Sequence, residues 1–435
     1  MLKKQTNKII FVTLVAFLFR IIIAPLINHG DILVHYDWSK VLYHIGLSKA
    51  YFHPTWTYLN PPTQPPAILL LFWFSRHLYQ NRHLLAQLHN LIKIPPSFII
   101  LWFDQYGEFV LLKLWAILAD VGTALIISHL VKKISRQTSL AFIALLFFLF
   151  NPIAIFESAI WGQNDILAGL FAILAFVMIP KKHDYLAPTV YLLSIMIKPT
   201  TIITAPLFAA LFLKNHFQSK HSTSKLIFSI IIPMCLFVLL FLPFVNNPAG
   251  FIPQVRTILE TRIAPSSKGV IRASVSAFNL YSLVFIIDST PANINFNLLN
   301  IIIAFTINLF FIKTLLKIKK LKSKDVIFLI FLVSQASFLF LPGMLERYFL
   351  LGLIPATIML FIHPQLKSLL LFQNLIWFLN LIYAFFYRHS HYINLLFRSH
   401  GYPLIRLLSL FNIIIFFRLA KFFFCHQKEL CLKKH

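Results

Sequence analysis

The stretch HGDILVHYDWSK, residues 29–40, follows directly on an apolar run and carries two carboxylates, Asp31 and Asp37, in a chain with only 13 acidic residues among 435. A carboxylate at that boundary can take a proton from an attacking hydroxyl. Four other stretches carry complementary chemistry. NPIAIFESAIWGQNDILAGL (151–170) holds Trp161, Gln163, Asn164 and Asp165, and IKPTT (197–201) places Lys198 in an otherwise apolar hairpin. The segment from Arg256 through Arg262, Lys268 and Arg272 leads into SVSAFNLYSL, and LPGMLERYFL (341–350) holds Glu346, Arg347 and Tyr348. Lysine and arginine stabilise a departing phosphate, while aromatic faces and amide side chains can hold a pyranose. Together the set suits a sugar attached to a lipid phosphate.

Each residue also has a plainer role open to it. Asp165 can cap a helix whose N-terminus favours negative charge. Lys198 and Arg347 can be snorkelling anchors, Trp161 a member of an interfacial belt, and Glu346 with Arg347 a structural pair. The loop arginines can simply touch lipid headgroups. Asp120, deep inside a span, reads as a structural hydrogen-bonding residue. What favours function is the conjunction: ionisable groups near a membrane core are costly and usually functional.

The elements that must position these groups are membrane helices. The chain is 59% hydrophobic, with a mean hydropathy of +0.79, more apolar surface than a soluble fold of this length can hide. A net charge of +26 would point to nucleic acid in a soluble protein. Here Lys and Arg cluster between apolar runs, as in cytoplasmic loops facing anionic lipid, so the partner is membrane lipid and not nucleic acid. Cys235, Cys425 and Cys431 form no disulfide or zinc pattern. The N-terminal apolar run is too long for a signal-peptide core and reads as a retained span.

About 12 spans are predicted, approximately 9–27, 109–131, 140–157, 165–180, 185–197, 200–213, 225–244, 297–316, 325–341, 349–362, 367–386 and 404–424. With both termini inside, the loops at 132–137, 181–184, 214–225, 317–325 and 363–367 and the tail all fall on the cytoplasmic side, which gathers nearly every dense basic cluster there. Residues 66–74 are too few to cross. Residues 28–108 therefore form one large outside loop with short interfacial helices, and 245–296 a second. The expected fold is an all-α polytopic membrane protein of one domain, 1–435, with the polar motifs on the extracytoplasmic face.

GDILVHYDW, NPPTQPP, KLWAILADVG, FNPIAIFESAIWGQND, IKPTTIITAP, SAFNLYSL and ERYFL, in this order, resemble the bacterial integral-membrane glycosyltransferases of the GT-C type, in particular those related to the second mannosyltransferase of GPI-anchor synthesis. The resemblance runs from about residue 20 to 360 and implies a bundle of about 12 helices in the bacterial cytoplasmic membrane. It also implies a polyprenyl-phosphate sugar donor, a glycan or glycolipid acceptor and an inverting single displacement. By position it makes Asp31 the general base, with Asp37 in reserve and Trp38 following. Trp161, Gln163, Asn164 and Asp165 match its second motif, and Lys198 its phosphate-contacting lysine. Arg272, Glu346, Arg347 and Tyr348 complete the expected substrate-binding set. The family often has His before the Glu-Arg-Tyr element, where this chain has Leu345, and Gln after Lys-Pro, where it has Thr200. No Gly-rich nucleotide loop is present among only 11 glycines. The residue pattern requires no cofactor and does not indicate a metal, though a divalent ion on Asp31, Asp37 or Asp165 is compatible with it. Two other activities fit the composition: an O-antigen-type ligase or polymerase, and a flippase for a lipid-linked saccharide.

Overall fold

A computed structural model describes residues 2–53, 56, 61–181, 183–218, 223–263, 271–285, 287, 289, 294–318 and 321–432. Lys268, and Asn60 of NPPTQPP, lie outside the described residues. The described chain is helical throughout, with no strand. Nineteen α-helices among the described residues are numbered in chain order. Helix α1 (Leu2–Ile23) is followed by α2 (Gly30–Ile45), α3 (Pro66–Gln80), α4 (His83–Ile92) and α5 (Ser97–Ser135). Next come α6 (Thr138–Leu149), α7 (Pro152–Ile155), α8 (Asp165–Met178), α9 (Ala187–Ile197), α10 (Ala205–Gln218) and α11 (Thr223–Phe241). The remainder are α12 (Phe251–Ile258), α13 (Leu280–Val284), α14 (Phe296–Lys317), α15 (Ser323–Phe340), α16 (Leu350–Ile362), α17 (Lys367–Phe386), α18 (His391–Arg398) and α19 (Pro403–Leu432).

Among the described residues, eight helical segments are long and apolar enough to cross a membrane: Gln5–Ile23, Ser97–Ser135, Thr138–Trp161, Thr223–Phe244, Phe296–Lys317, Ser323–Phe340, Pro364–Phe386 and Pro403–Cys425. Several present their apolar side chains outward; Phe11, Met234 and Phe305 are 67%, 62% and 67% exposed. Only lipid tolerates such a surface. The protein is a membrane protein. The other four of the twelve predicted spans coincide with α8, α9, α10 and α16, of 14, 11, 14 and 13 residues. At 1.5 Å per residue these rise about 17–21 Å, less than the roughly 30 Å of hydrocarbon, so length alone does not carry the count to twelve. The second predicted span also begins earlier than expected, at Ser97, giving α5 39 residues and about 58 Å.

The chain forms two compact units, each assembled from separate stretches: Met1–Ala124, Phe148–Pro199 and His221–Lys268 in the first, Leu125–Phe147, Thr200–Lys220 and Gly269–His435 in the second. In the first unit α2, α3 and the start of α5 are joined through polar contacts. His35 stacks on Phe72 with ring centres 4.6 Å apart. Trp115 donates to the Ser75 hydroxyl at 2.9 Å, which donates to Leu111 O at 3.1 Å, and Arg76 pairs with Glu108. Helix α8 packs on α9, where Ser194 Oγ donates to the O of the small residue Ala168 at 2.8 Å. Small side chains are what allow two membrane helices so close.

The second unit is built around buried amides. Asn412 Oδ1 on α19 accepts from Gln335 Nε2 of α15 at 2.9 Å and Gln373 Nε2 of α17 at 2.6 Å. Its Nδ2 donates to Phe278 O at 2.7 Å, while Asn380 on α17 accepts from Phe278 N at 2.9 Å and donates to Ser276 O at 2.7 Å. Two membrane helices, α17 and α19, thus supply the backbone of residues 276–278 with the partners that lipid cannot offer.

Candidate active site

Asp31 stands in the first turn of α2, whose N-cap is His29. The Asp31 side chain is 37% exposed. Its Oδ2 accepts from Trp161 Nε1 at 2.9 Å and from Gln163 Nε2 at 2.6 Å. Trp161 closes a π-helical turn, Phe156–Trp161, in which Gly162 N and Gln163 N both donate to Glu157 O at 3.0 Å. Such widened turns are frequent at functional sites. Asn151 makes the turn possible by ending α6 and capping α7, its Oδ1 accepting from Ile153 N at 2.9 Å ahead of Pro152. Gly162 then reverses the chain at φ +79°, where a Cβ would lie 2.8 Å from Ile32 Cδ1 of α2 and 3.1 Å from Lys113 Cγ of α5. Only glycine fits that crossing.

Gln163 uses both ends of its amide. Nε2 serves Asp31, and Oε1 accepts from Lys198 Nζ at 3.2 Å. Lys198 also forms a close ion pair with Asp165, both side chains being almost wholly buried. It occupies the C-cap of α9 in an extended conformation because Pro199 disfavours helix at the preceding residue. Asp165 opens α8, but its carboxylate is turned to Lys198, and Glu157 Oε1 instead accepts from Asp165 N at 3.1 Å. One polar chain therefore runs from half-exposed Asp31 through Gln163 to buried Lys198, Asp165 and Glu157.

The plainer roles for two residues are corrected by these contacts. Lys198 is not a snorkelling anchor, since it is 5% exposed and ion-paired. Trp161 is 2% exposed and belongs to the site's wall, not to an interfacial belt. Trp161 and Trp38 are both buried, so neither indole offers a face to solvent on which a sugar could stack. Asn164 is buried and precedes α8 without capping it through its side chain. Asp37, 3% exposed, sits six residues beyond Asp31 on α2. Six helical residues separate the two by about 9 Å of rise and about 240° of rotation, so they leave α2 on different faces.

Arg272, Glu346, Arg347 and Tyr348 belong to the second unit. There Glu346 is buried, accepts from Ser276 Oγ in a close contact and from Arg347 Nη1 at 2.7 Å. Gly343 approaches this loop at φ +72°, its N donating to Ala273 O at 3.4 Å. Arg272 is exposed beside it, and Tyr348 is half-buried. In the first unit the loop arginines are otherwise engaged. Arg256 pairs with Glu260 at 2.8 Å, and Arg262 Nε donates to Tyr51 O at 3.0 Å.

Three participants were not singled out from the sequence. Glu157 and Lys113 were quoted only within longer motifs, and Ser276 within SAFNLYSL. Lys113 is fully buried and donates to Ala24 O at 2.6 Å, Ile27 O at 2.8 Å and Ile160 O at 2.9 Å. It ties the segment before Asp31 to the one before Trp161. The available signal was a charge inside an apolar span, which is rarely idle. Asp120 has the structural role expected: Arg20 Nε donates to it at 2.8 Å and Ser158 Oγ at 2.6 Å, with both ionic side chains inaccessible. Among the described residues no three His, Cys, Asp or Glu side chains gather as metal ligands would. Compared with family models and with curated proteins, the chain matches none.

Proposed function

We propose that this protein is an inverting glycosyltransferase of the membrane, moving a hexose from a polyprenyl-phosphate donor to an acceptor hydroxyl. The observation that carries this reading is Asp31: a partly exposed carboxylate aimed by an indole and an amide donor, beside a buried ammonium. Asp31 takes the proton of the acceptor hydroxyl as that oxygen attacks the anomeric carbon. The bond between the anomeric carbon and the phosphate oxygen breaks, and its electron pair leaves with polyprenyl phosphate. Lys198 is the candidate cation for the donor phosphate, which would compete with Asp165 for its ammonium. The resemblance to GT-C enzymes supplies the donor class, a bundle of twelve membrane segments counting α8, α9, α10 and α16, and an extracytoplasmic site. Mannose rests on the family's name alone. Arg272, Glu346, Arg347 and Tyr348 carry no step in this scheme, because the contacts that define them are those of the second unit.

Purified Asp31→Asn protein, assayed with polyprenyl-phosphate hexose for release of polyprenyl monophosphate, tests the reading. The amide keeps an acceptor for Trp161 and Gln163 but cannot take the proton. Turnover should fall by about 10²-fold or more. Undiminished turnover would remove Asp31 as base, and release of diphosphate in place of monophosphate would favour a ligase.

A further inference from the structure

A cavity of about 680 Å³ in the second unit lies outside all the chemistry described so far. It forms where the turn between α5 and α6, the entry to α15 and the turn after α16 come together. Each is a loop that charge assigns to the cytoplasmic side. Among the described residues, Lys133, Lys322 and Lys324 line it and no carboxylate does. The nearest acid in sequence, Asp325, is buried and accepts from Lys322 N at 3.1 Å. Gln137 and Ser323 add polar groups to the lining.

Part of the wall is apolar, made by Leu140 of α6 with Phe361 and Ile362 of α16. An inorganic anion has no use for that wall, and the volume far exceeds what a single phosphate fills. An amphiphile uses both parts: the lysines take the phosphate, and the apolar wall takes the first methylenes of the chains. Basic pockets among membrane helices at the cytoplasmic surface bind anionic headgroups in this way. We propose that the cavity binds the phosphate headgroup of an anionic membrane lipid. This site is independent of the transfer chemistry proposed above.

The test is a titration of the full-length protein in neutral detergent, with bound lipid read by native mass spectrometry. The probes are phosphatidylglycerol, phosphatidylcholine and inorganic phosphate. Phosphatidylglycerol should bind at least about tenfold more tightly than phosphatidylcholine. The triple variant K133Q/K322Q/K324Q should lose on the order of a hundredfold of that affinity, about fivefold for each lysine. The arginine triple K133R/K322R/K324R should retain binding, which separates loss of charge from loss of fold. The variant K132Q/K367Q/K421Q removes the same charge from exposed lysines outside the cavity and should also retain it. Equal binding by wild type and the glutamine triple, or equal loss in the control triple, would overturn the site. Inorganic phosphate displacing the lipid at matched concentration would overturn its assignment to a lipid.

Discussion

Gln163 Nε2 donates to Asp31 Oδ2 at 2.6 Å across 132 residues of chain. The same amide accepts from Lys198 through Oε1, so Gln163 connects the proposed base to the proposed phosphate cation. Gln163→Met keeps the volume and removes both bonds. Transfer should drop by about tenfold or more while the unfolding free energy falls by only about 1–3 kcal/mol. Parallel measurement of turnover and thermal unfolding separates the two effects, and a loss of activity no larger than the loss of folded protein would count against the bridge.

Gly162→Ala places a Cβ at φ +79° and 2.8 Å from Ile32 Cδ1. Left-handed backbone costs a non-glycine residue about 1–2 kcal/mol, and the clash adds to it. A lowered unfolding temperature is expected. The double variant with Ile32→Val should recover part of the loss if the methyl contact contributes.

The Arg20–Asp120 pair should respond asymmetrically. Arg20→Met alone leaves the Asp120 carboxylate buried without its cation, a cost of about 3–5 kcal/mol. Replacing both, Arg20→Met with Asp120→Leu, should be markedly milder than the single change. A thermal-unfolding double-mutant cycle checks this, and additive losses would refute the coupling.

Lys113→Met removes the ammonium that donates to three backbone carbonyls at the junction of the two motif segments. Buried acceptors left without partners cost about 1–3 kcal/mol each. The variant should therefore be among the least stable single substitutions in the first unit, and protease cleavage near residues 24–31 should increase.

Burial pushes the Tyr281 phenol up to about 12, and its hydroxyl donates to Phe340 O at 3.1 Å. The protonated form is the one the fold favours. Its contribution is therefore intact below the unfolded value of about 10 and is lost as pH rises from about 10 to 12. Tyr281→Phe should flatten that part of the alkaline decline in unfolding temperature.

Much of the helical framework was legible because apolar length is a local property: every one of the eight spanning segments overlaps a predicted one. The short 66–74 run lies within the 15-residue α3, which packs on α2. Less legible were helix ends, as the early start of α5 shows. The candidate site was legible as a set of residue types, with Asp31, Trp161, Gln163, Asp165 and Lys198 meeting in one unit. Their partnerships were not. Asp165 looked like a helix cap and is an ion-pair partner, while Glu157 does the capping.

The residue order of this chain by itself determined that it lives in lipid, that it is helical, and where its scarce acids and interrupting prolines fall. Those follow from hydropathy and backbone stereochemistry, which neighbours in sequence decide. Only the tertiary structure decided that a glutamine would bridge Asp31 and Lys198, that Lys113 would be satisfied by three carbonyls, and that the indoles would be buried. Hydrogen bonds reach only about 3 Å, so which side chains pair depends on how distant segments cross, and no periodicity along the chain encodes that crossing.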